Sequence, residues 1–589
     1  MAEQTFLADP PRFLFFTGKG GVGKTSLACA TAIHLVDHGK RVLLVSTDPA
    51  SNLAQVFEQP LGSRMIPIAS VPGLDAVEID PQSAAEHYRE KVIGPLRDTW
   101  SADEITAMTE QLSGSCTTEV ASFNEFTDLL ADDSRIAPYD HVIFDTAPTG
   151  HTIRLLHLPG EWTAFLENGK GDASCLGPMS GLDKARTVYA EALQRLADPT
   201  LTRLILVSRA QEAALAEAGR TALELADVGL TQQHLVINAL LPDPGPDGDA
   251  LAIAIHRRET AAMAYLPDVL RTLPTTLVPM RPLVLVGVRA IRSLLTDAPA
   301  PESVAPAPRD PAYAEIPALD ALVEELATAD HGLVMCMGKG GVGKTTVAAA
   351  LALALAARGK MVHLSTTDPA AHLTHVLGGA DTSGLTVSRI DPAAAIETYR
   401  TRVLATKGAA LDDDGRARLT EDLLSPCTEE VAVFGEFSHL VSKARRQFVV
   451  MDTAPTGHTL LLLDTTGSYH RDIVRNLDGG RAVTPLMRLQ DPKLTHMVLV
   501  TLPEATPMQE AADLQDDLAR AGITPWAWVV NQSLSVVETS DPLLRARAAA
   551  EAPHLARVRR LAPRLAALPL LPEEPVGAAG LRHLFPEKV

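Results

Sequence analysis

The sequence predicts an α/β protein built from two homologous halves, each a mostly parallel sheet flanked by helices. Three observations carry that prediction. The octapeptide GKGGVGKT occurs twice, at Gly18–Thr25 and at Gly338–Thr345. Each copy stands between an apolar, strand-like run and an Ala/Leu-rich, helix-like segment. A later apolar run ending in aspartate also recurs, as HVIFDTAPTGHT (His141–Thr152) and FVVMDTAPTGHT (Phe448–Thr459). An identity of this length inside one chain marks a duplication.

The elements come in a definite order. FLFFT and LVMCM lead into the two loops, and TSLACATAIHLVDHGK and TTVAAALALALAARGK leave them as helices. RVLLVS and MVHLST then run into TDPA, at Thr47–Ala50 and Thr367–Ala370. Strand, loop, helix, strand is the order of a parallel α/β sheet. The runs ending at Asp145 and Asp452 read as buried strands with an acid at the carboxyl end, where open α/β sheets bind ligands. LILVS with LVINAL, and MVLVT with WVVNQS, read as later strands of the two halves. Between the halves, the proline-dense segment Thr296–Pro317 reads as an extended connector, which gives domains of 1–295 and 318–589.

Each octapeptide fits G-x-x-x-x-G-K-[ST], the phosphate-loop pattern, so each half is expected to be a phosphate-loop NTPase fold. Lys24 and Lys344 are the phosphate lysines, and Thr25 and Thr345 offer hydroxyls to Mg²⁺. Gly18, Gly20, Gly21, Val22 and Gly23, with Gly338, Gly340, Gly341, Val342 and Gly343, form the backbone cradle for ATP. Ser26 and Thr346 open the helix whose N-terminal dipole favours anions. Asp145 and Asp452 stand where an acid behind the Mg²⁺ is expected.

Composition narrows the class further. The chain has 589 residues, 46% hydrophobic, with a net charge of −20 and pI near 5.4. That balance argues against nucleic acid as the main partner, since phosphate backbones are bound by Lys and Arg. The N-terminal MAEQTFLADPPR lacks a basic start followed by an apolar run, and no apolar stretch is long enough to span a bilayer, so a soluble cytoplasmic protein is expected. Five widely spaced cysteines do not suggest a disulfide framework.

The extra lysines Lys19 and Lys339 make the loop resemble the deviant phosphate loop of an ATPase group that includes nitrogenase iron protein and the arsenite and tail-anchor ATPases. The resemblance implies that these lysines reach nucleotide across a face-to-face dimer, which here would be internal. It also implies that Asp48 and Asp368 in TDPA orient or activate water; a helix N-cap is the other reading of an Asp before Pro. Asn238 and Asn531 match a purine-contacting asparagine of that group, though an Asn after a strand is also a common turn residue.

The cysteines suggest what the ATPase is for. Cys116 and Cys427 are equivalent, in GSCTTEVASFNEF and SPCTEEVAVFGEF, while Cys175 in DASCLGPMSGLD belongs to the first half only. Three thiols able to converge suit a soft, three-coordinate ion such as As(III) or Sb(III). No C-x-x-C spacing points to zinc. His151 and His458, six residues after Asp145 and Asp452, are further candidate ligands. Cys29 and Cys336, in a helix-like and a strand-like run, read as buried small apolar residues.

With these contexts added, the chain resembles the arsenical pump-driving ATPase family over nearly its whole length. The resemblance implies As(III) or Sb(III) bound at Cys116, Cys175 and Cys427 and stimulating hydrolysis. It also implies a membrane carrier for the metalloid, a metallochaperone that delivers arsenite, and peripheral membrane association of a monomeric pseudo-dimer through the carrier. The alternative is a tail-anchored membrane protein targeting ATPase, which would favour a methionine-rich groove; Ala84–Leu112 and Ala394–Leu424 are charged instead. A spatial-positioning ATPase would rest on the basic, amphipathic stretch Leu555–Leu568, interrupted by Pro563.

Overall fold

A computed structural model of the chain describes residues 5–48, 53–97, 99–112, 115–146, 191–282, 287–295, 316–367, 373–378, 384–406, 408–412, 415–416, 419–420, 423, 427–453 and 484–585. The chain divides into two compact units, Met1–Ala305 and Pro306–Val589, and the division falls inside the proline-dense segment.

The first unit contains β1 (Phe13–Thr17), β2 (Val42–Ser46), β3 (Ile66–Pro67), β4 (Leu74–Glu78), β5 (His141–Asp145), β6 (Thr202–Ser208), β7 (Gln233–Leu240) and β8 (Thr275–Pro279). They form one sheet in the order β3-β4-β2-β5-β1-β6-β7-β8. The pairings are parallel except for β3 on β4 at the edge. In the second unit β9 (Gly332–Met337), β10 (Val362–Thr366), β11 (Leu385–Arg389), β12 (Phe448–Asp452), β13 (Thr495–Thr501), β14 (Ala527–Ser533) and β15 (Leu565–Pro569) run β11-β10-β12-β9-β13-β14-β15. All of these are parallel. Without β3 the two orders coincide strand for strand.

The sequence explains why both faces are covered. β1, β2, β5, β9, β10 and β12 are buried at every residue, so they read as unbroken apolar runs. Alternate residues enter opposite cores. Leu14, Phe16 and Ile143 pack with Leu27 and Ile33 of the helix Lys24–Asp37. Phe13, Phe15 and Phe144 pack on the other face with Phe123 and Phe126 of the helix Ser115–Ala131. Phe15 and Phe144 stack with ring centres 4.4 Å apart, and Phe126 meets Phe144 edge-on at 5.3 Å. Full burial of such a ring contributes about 1.5–3 kcal/mol, so this helix is firmly placed. In the second unit Phe434 and Phe437 of the helix Cys427–Lys443 pack in the same way on Met335 and Met451.

β1 lies between β5 and β6, and β9 between β12 and β13. From β1 the chain crosses to one side of the sheet, and from β6 it builds the other. The carboxyl ends of β1 and β9 are therefore the topological switch points, and both GKGGVGKT loops start there.

The stretch 555–568 is divided at the proline: the helix Pro542–Leu561 stops before Pro563, and Leu565–Pro569 continues as β15. Proline cannot donate to the helix ladder, and β14 offers parallel pairing to the residues beyond Pro563. Leu555 and Val558 are buried in the core of the second unit. Among the described residues no helix is long and apolar enough to cross a membrane.

Cys29 and Cys336 are fully buried, as their sequence contexts suggested. Burial, then the nearby carboxylates of Asp145 and Asp452 respectively, raises both thiols well above their ordinary pKa. A maleimide reagent at neutral pH is expected to leave both unmodified in the native protein and to react with both in denaturant. Mass spectrometry of the labelled peptides checks this; rapid native labelling of either would contradict the buried placement.

Candidate nucleotide site

Each loop is shaped by glycines that nothing else can replace. Gly18 has φ 147° and Gly338 has φ 149°. A Cβ there would lie 2.2 Å from Val207 O and 2.3 Å from Val500 O, the backbones of β6 and β13. Gly23 and Gly343, at φ 92° and 91°, are left-handed N-caps of the helices Lys24–Asp37 and Lys344–Ala357. A Cβ on either would strike the side-chain amide of Asn238 or Asn531 at 2.3 or 2.1 Å. The loop backbone is thus pressed against two neighbouring strands, and its turns present helix N-terminal amides outward.

Val22 and Val342 pin the loops into the cores from the inside. Ser26 and Thr346 lie in the first turns of the two loop helices. Lys24 and Lys344 are each only 6% exposed. Their ammonium groups donate back across the loop to Lys19 O at 3.2 Å and Lys339 O at 2.9 Å. Fourteen-residue helices behind buried lysines make a compact cationic cradle suited to a polyphosphate.

The acids are placed by register. Ser46 pairs with Asp145 and Phe16 with Asp145, so the last residue of β5 meets the ends of both β2 and β1. Asp452 has the same place between Thr366 and Cys336. Both carboxylates are fully buried. Thr25 Oγ1 donates to Asp145 Oδ2 at 2.6 Å, and Thr345 Oγ1 to Asp452 Oδ2 at 2.8 Å. Thr366 Oγ1 adds a second donor to Asp452, at 3.1 Å. A hydroxyl oriented by a buried carboxylate is an all-oxygen arrangement that fits Mg²⁺. Thr146 and Thr453 then donate to Phe16 O and Cys336 O at 2.8 and 2.9 Å, tying the start of each TAPTGH segment to the strand before the loop.

Asp48 lies just beyond β2 and is 8% exposed, with its amide donating to Ser46 Oγ at 3.3 Å. Thr47 N donates to Asp145 O and Thr367 N to Asp452 O, each at 2.9 Å, so both TDPA segments leave beside the acids. Asp368 itself lies outside the described residues, as do His151, His458 and Cys175. Cys116 belongs to the first turn of the helix Ser115–Ala131, and Cys427 is the first residue of the equivalent helix. Among the described residues no cluster of His, Cys, Asp or Glu is placed to hold a metal ion.

Asn238 and Asn531 have a definite job in this structure. Their amides donate to Val22 O at 2.8 Å and Val342 O at 2.9 Å, inside the loops. The next residues, Ala239 and Gln532, have φ 56°, and the strand register shifts there. Two acids that belong to no sequence motif support this bulge. Glu259 Oε2 accepts from Leu241 N at 2.8 Å. The buried Glu551 accepts from Leu534 N at 2.9 Å, Ser535 N at 3.0 Å and Ser533 Oγ at 2.7 Å. Burial raises the pKa of both glutamates. Both acids accept from the amide three residues beyond the asparagine, a relation that the fold creates and no sequence spacing marks.

The Asn-to-loop bond should therefore count in nucleotide binding. Asn531→Ala is expected to lower thermal stability, by about 1–3 kcal/mol for the carbonyl left without its donor, and to weaken Mg-ATP binding at its own loop roughly fivefold. Titration with a fluorescent nucleotide analogue checks this, and unchanged affinity would remove the amide from the site's support.

Comparison with known proteins agrees with this geometry. The sequence profile of the anion-transporting ATPase family matches residues 11–296, 331–490 and 484–586, which covers both halves. The arsenical pump-driving ATPase of Escherichia coli is 55% identical over 583 residues, 98% of this chain and 99% of that protein. The arsenical pump-driving ATPase of Acidiphilium multivorum is 54% identical, again over 98% and 99%. A putative arsenical pump-driving ATPase of Halobacterium salinarum is 35% identical over 98% of this chain and 94% of its own length. Two phosphate loops on duplicated parallel sheets, with similarity running end to end, place this chain in the anion-transporting ATPase family, alongside the arsenical pump-driving ATPases, as an ATP hydrolase.

Proposed function

We propose that this protein is a metalloid-stimulated ATPase that energises expulsion of arsenite or antimonite through a membrane carrier. The observation that supports this most is the end-to-end similarity to arsenical pump-driving ATPases. ATP binds at both loops. Backbone amides of Gly18–Gly23 and Gly338–Gly343 hold its phosphates, and Lys24 and Lys344 turn from their loop carbonyls to the terminal phosphates. Mg²⁺, when bound, neutralises charge on the phosphate oxygens. Thr25 and Thr345 would hold it, with Asp145 and Asp452 orienting their hydroxyls. Asp48 and Asp368 orient the attacking water and accept its proton. Lys19 and Lys339 stabilise the negative charge on the transferred phosphoryl group. Asn238 and Asn531 support the loop from behind and flank the purine.

The activating ligand is As(III) or Sb(III), held by the thiolates of Cys116, Cys175 and Cys427, with His151 and His458 nearby in sequence to the Asp strands. Thiolates select such soft ions. A ligand that favours the hydrolysing conformation raises the rate only by its differential affinity for that conformation. The protein works in the cytoplasm as a monomeric pseudo-dimer. It receives arsenite from a metallochaperone and meets the membrane through the carrier.

Steady-state Mg-ATP hydrolysis with and without antimonite, under a non-thiol reductant, tests this reading. Several-fold saturable stimulation is expected. Cys116→Ser and Cys427→Ser should each abolish the stimulation and keep the basal rate. Stimulation that survives both substitutions would move the metalloid site elsewhere, and a wild-type protein without response would overturn the reading.

A further inference from the structure

The duplicated lysines Lys19 and Lys339 each have a duplicated partner. Lys19 Nζ is 3.4 Å from Glu217 Oε2, and Lys339 Nζ is paired directly with Glu510 Oε1. Glu217 stands in the helix Glu212–Asp227 after β6, and Glu510 in the helix Ala505–Arg520 after β13. Both acids lie nine residues beyond the last residue of their strand, Ser208 and Thr501. The same acid at the same offset in both halves is a feature of the duplicated unit rather than an accident of one surface.

Position makes the pair consequential. The loop's first glycine already touches the backbone of β6 or β13, so the helix after that strand is the nearest wall for the next side chain. Lys19 and Lys339 accept from Lys24 and Lys344 through their carbonyls, while their own amines pair with the glutamates. A carboxylate paired with the amine offsets its positive charge, so the glutamate and the phosphoryl oxygens compete for it. The competition is uneven between halves. Lys19 and Glu217 have side-chain exposures of 36% and 18%, Lys339 and Glu510 of 14% and 8%. The more buried pair is screened less by water and salt and is the firmer one.

We propose that Glu217 and Glu510 are positioning residues that hold Lys19 and Lys339 in a resting place within their own half, so that turnover requires exchange of each lysine from carboxylate to phosphate. The second half is the more strongly restrained. The proposal rests on the reading of Lys19 and Lys339 as groups that serve phosphoryl transfer.

The test is basal Mg-ATP hydrolysis by the full chain, without metalloid, for Glu217→Gln, Glu510→Gln, Lys339→Ala and the double variant Lys339→Ala/Glu510→Gln. Thermal unfolding serves as the check on folding, and Glu510→Asp as the conservative variant. Glu510→Gln is expected to raise kcat roughly fivefold with KM nearly unchanged, and Glu217→Gln to raise it less. Glu510→Asp should keep the wild-type rate, and the gain should vanish in the double variant. A stable Glu510→Gln protein with unchanged or lower kcat, while Lys339→Ala is impaired, overturns the proposal alone. A Lys339→Ala protein that hydrolyses like wild type overturns the lysine reading and the proposal with it.

Discussion

The whole arrangement depends on one close approach: the first glycine of each phosphate loop lies against the carbonyl of the neighbouring strand, at Val207 and Val500. No side chain fits there. This contact fixes where the loop leaves β1 or β9. The amides of Asn238 and Asn531 fix where it enters the helix. Between the two the backbone has little freedom, so its amides are oriented before any phosphate arrives. Preorganised donors of this kind are what phosphoryl transfer demands of a protein.

The sheet supplies the frame for that contact. Parallel strands buried on both faces place Asp145 and Asp452 beside the loop strands by register alone. Each half thereby repeats the same chain of support: loop glycine on strand carbonyl, asparagine on loop carbonyl, glutamate on the bulge after the asparagine. The halves differ in burial along that chain. Glu551 makes three bonds to its bulge where Glu259 is seen to make one, and Lys339 is more enclosed than Lys19. Such differences are a physical reason for the two loops to work at unequal rates.

Much of this was legible in the sequence. The strands were readable because strands covered on both faces are unbroken apolar runs, and the loops because phosphate binding demands glycines at fixed offsets. In Leu555–Leu568 the interruption at Pro563 was readable, but not that the residues beyond it pair with β14. Asn238 and Asn531 were read for a purine contact or a turn, and their bond to the loop carbonyl was not legible. Glu217, Glu259, Glu510 and Glu551 carry no motif. A lone acid on a helix looks like solvated charge until the fold sets it opposite a lysine or a bulge.

Glycine contacts, loop-bonded asparagines and buried acids recur in both halves, so each loop has the same local support for a phosphate group. Equilibrium binding of a non-hydrolysable ATP analogue with Mg²⁺ is the decisive experiment, on wild type, Lys24→Ala and Lys344→Ala. Two nucleotides per wild-type chain and one for each variant are expected. A single nucleotide on the wild type, or loss of both in either variant, would show that neither half is complete alone.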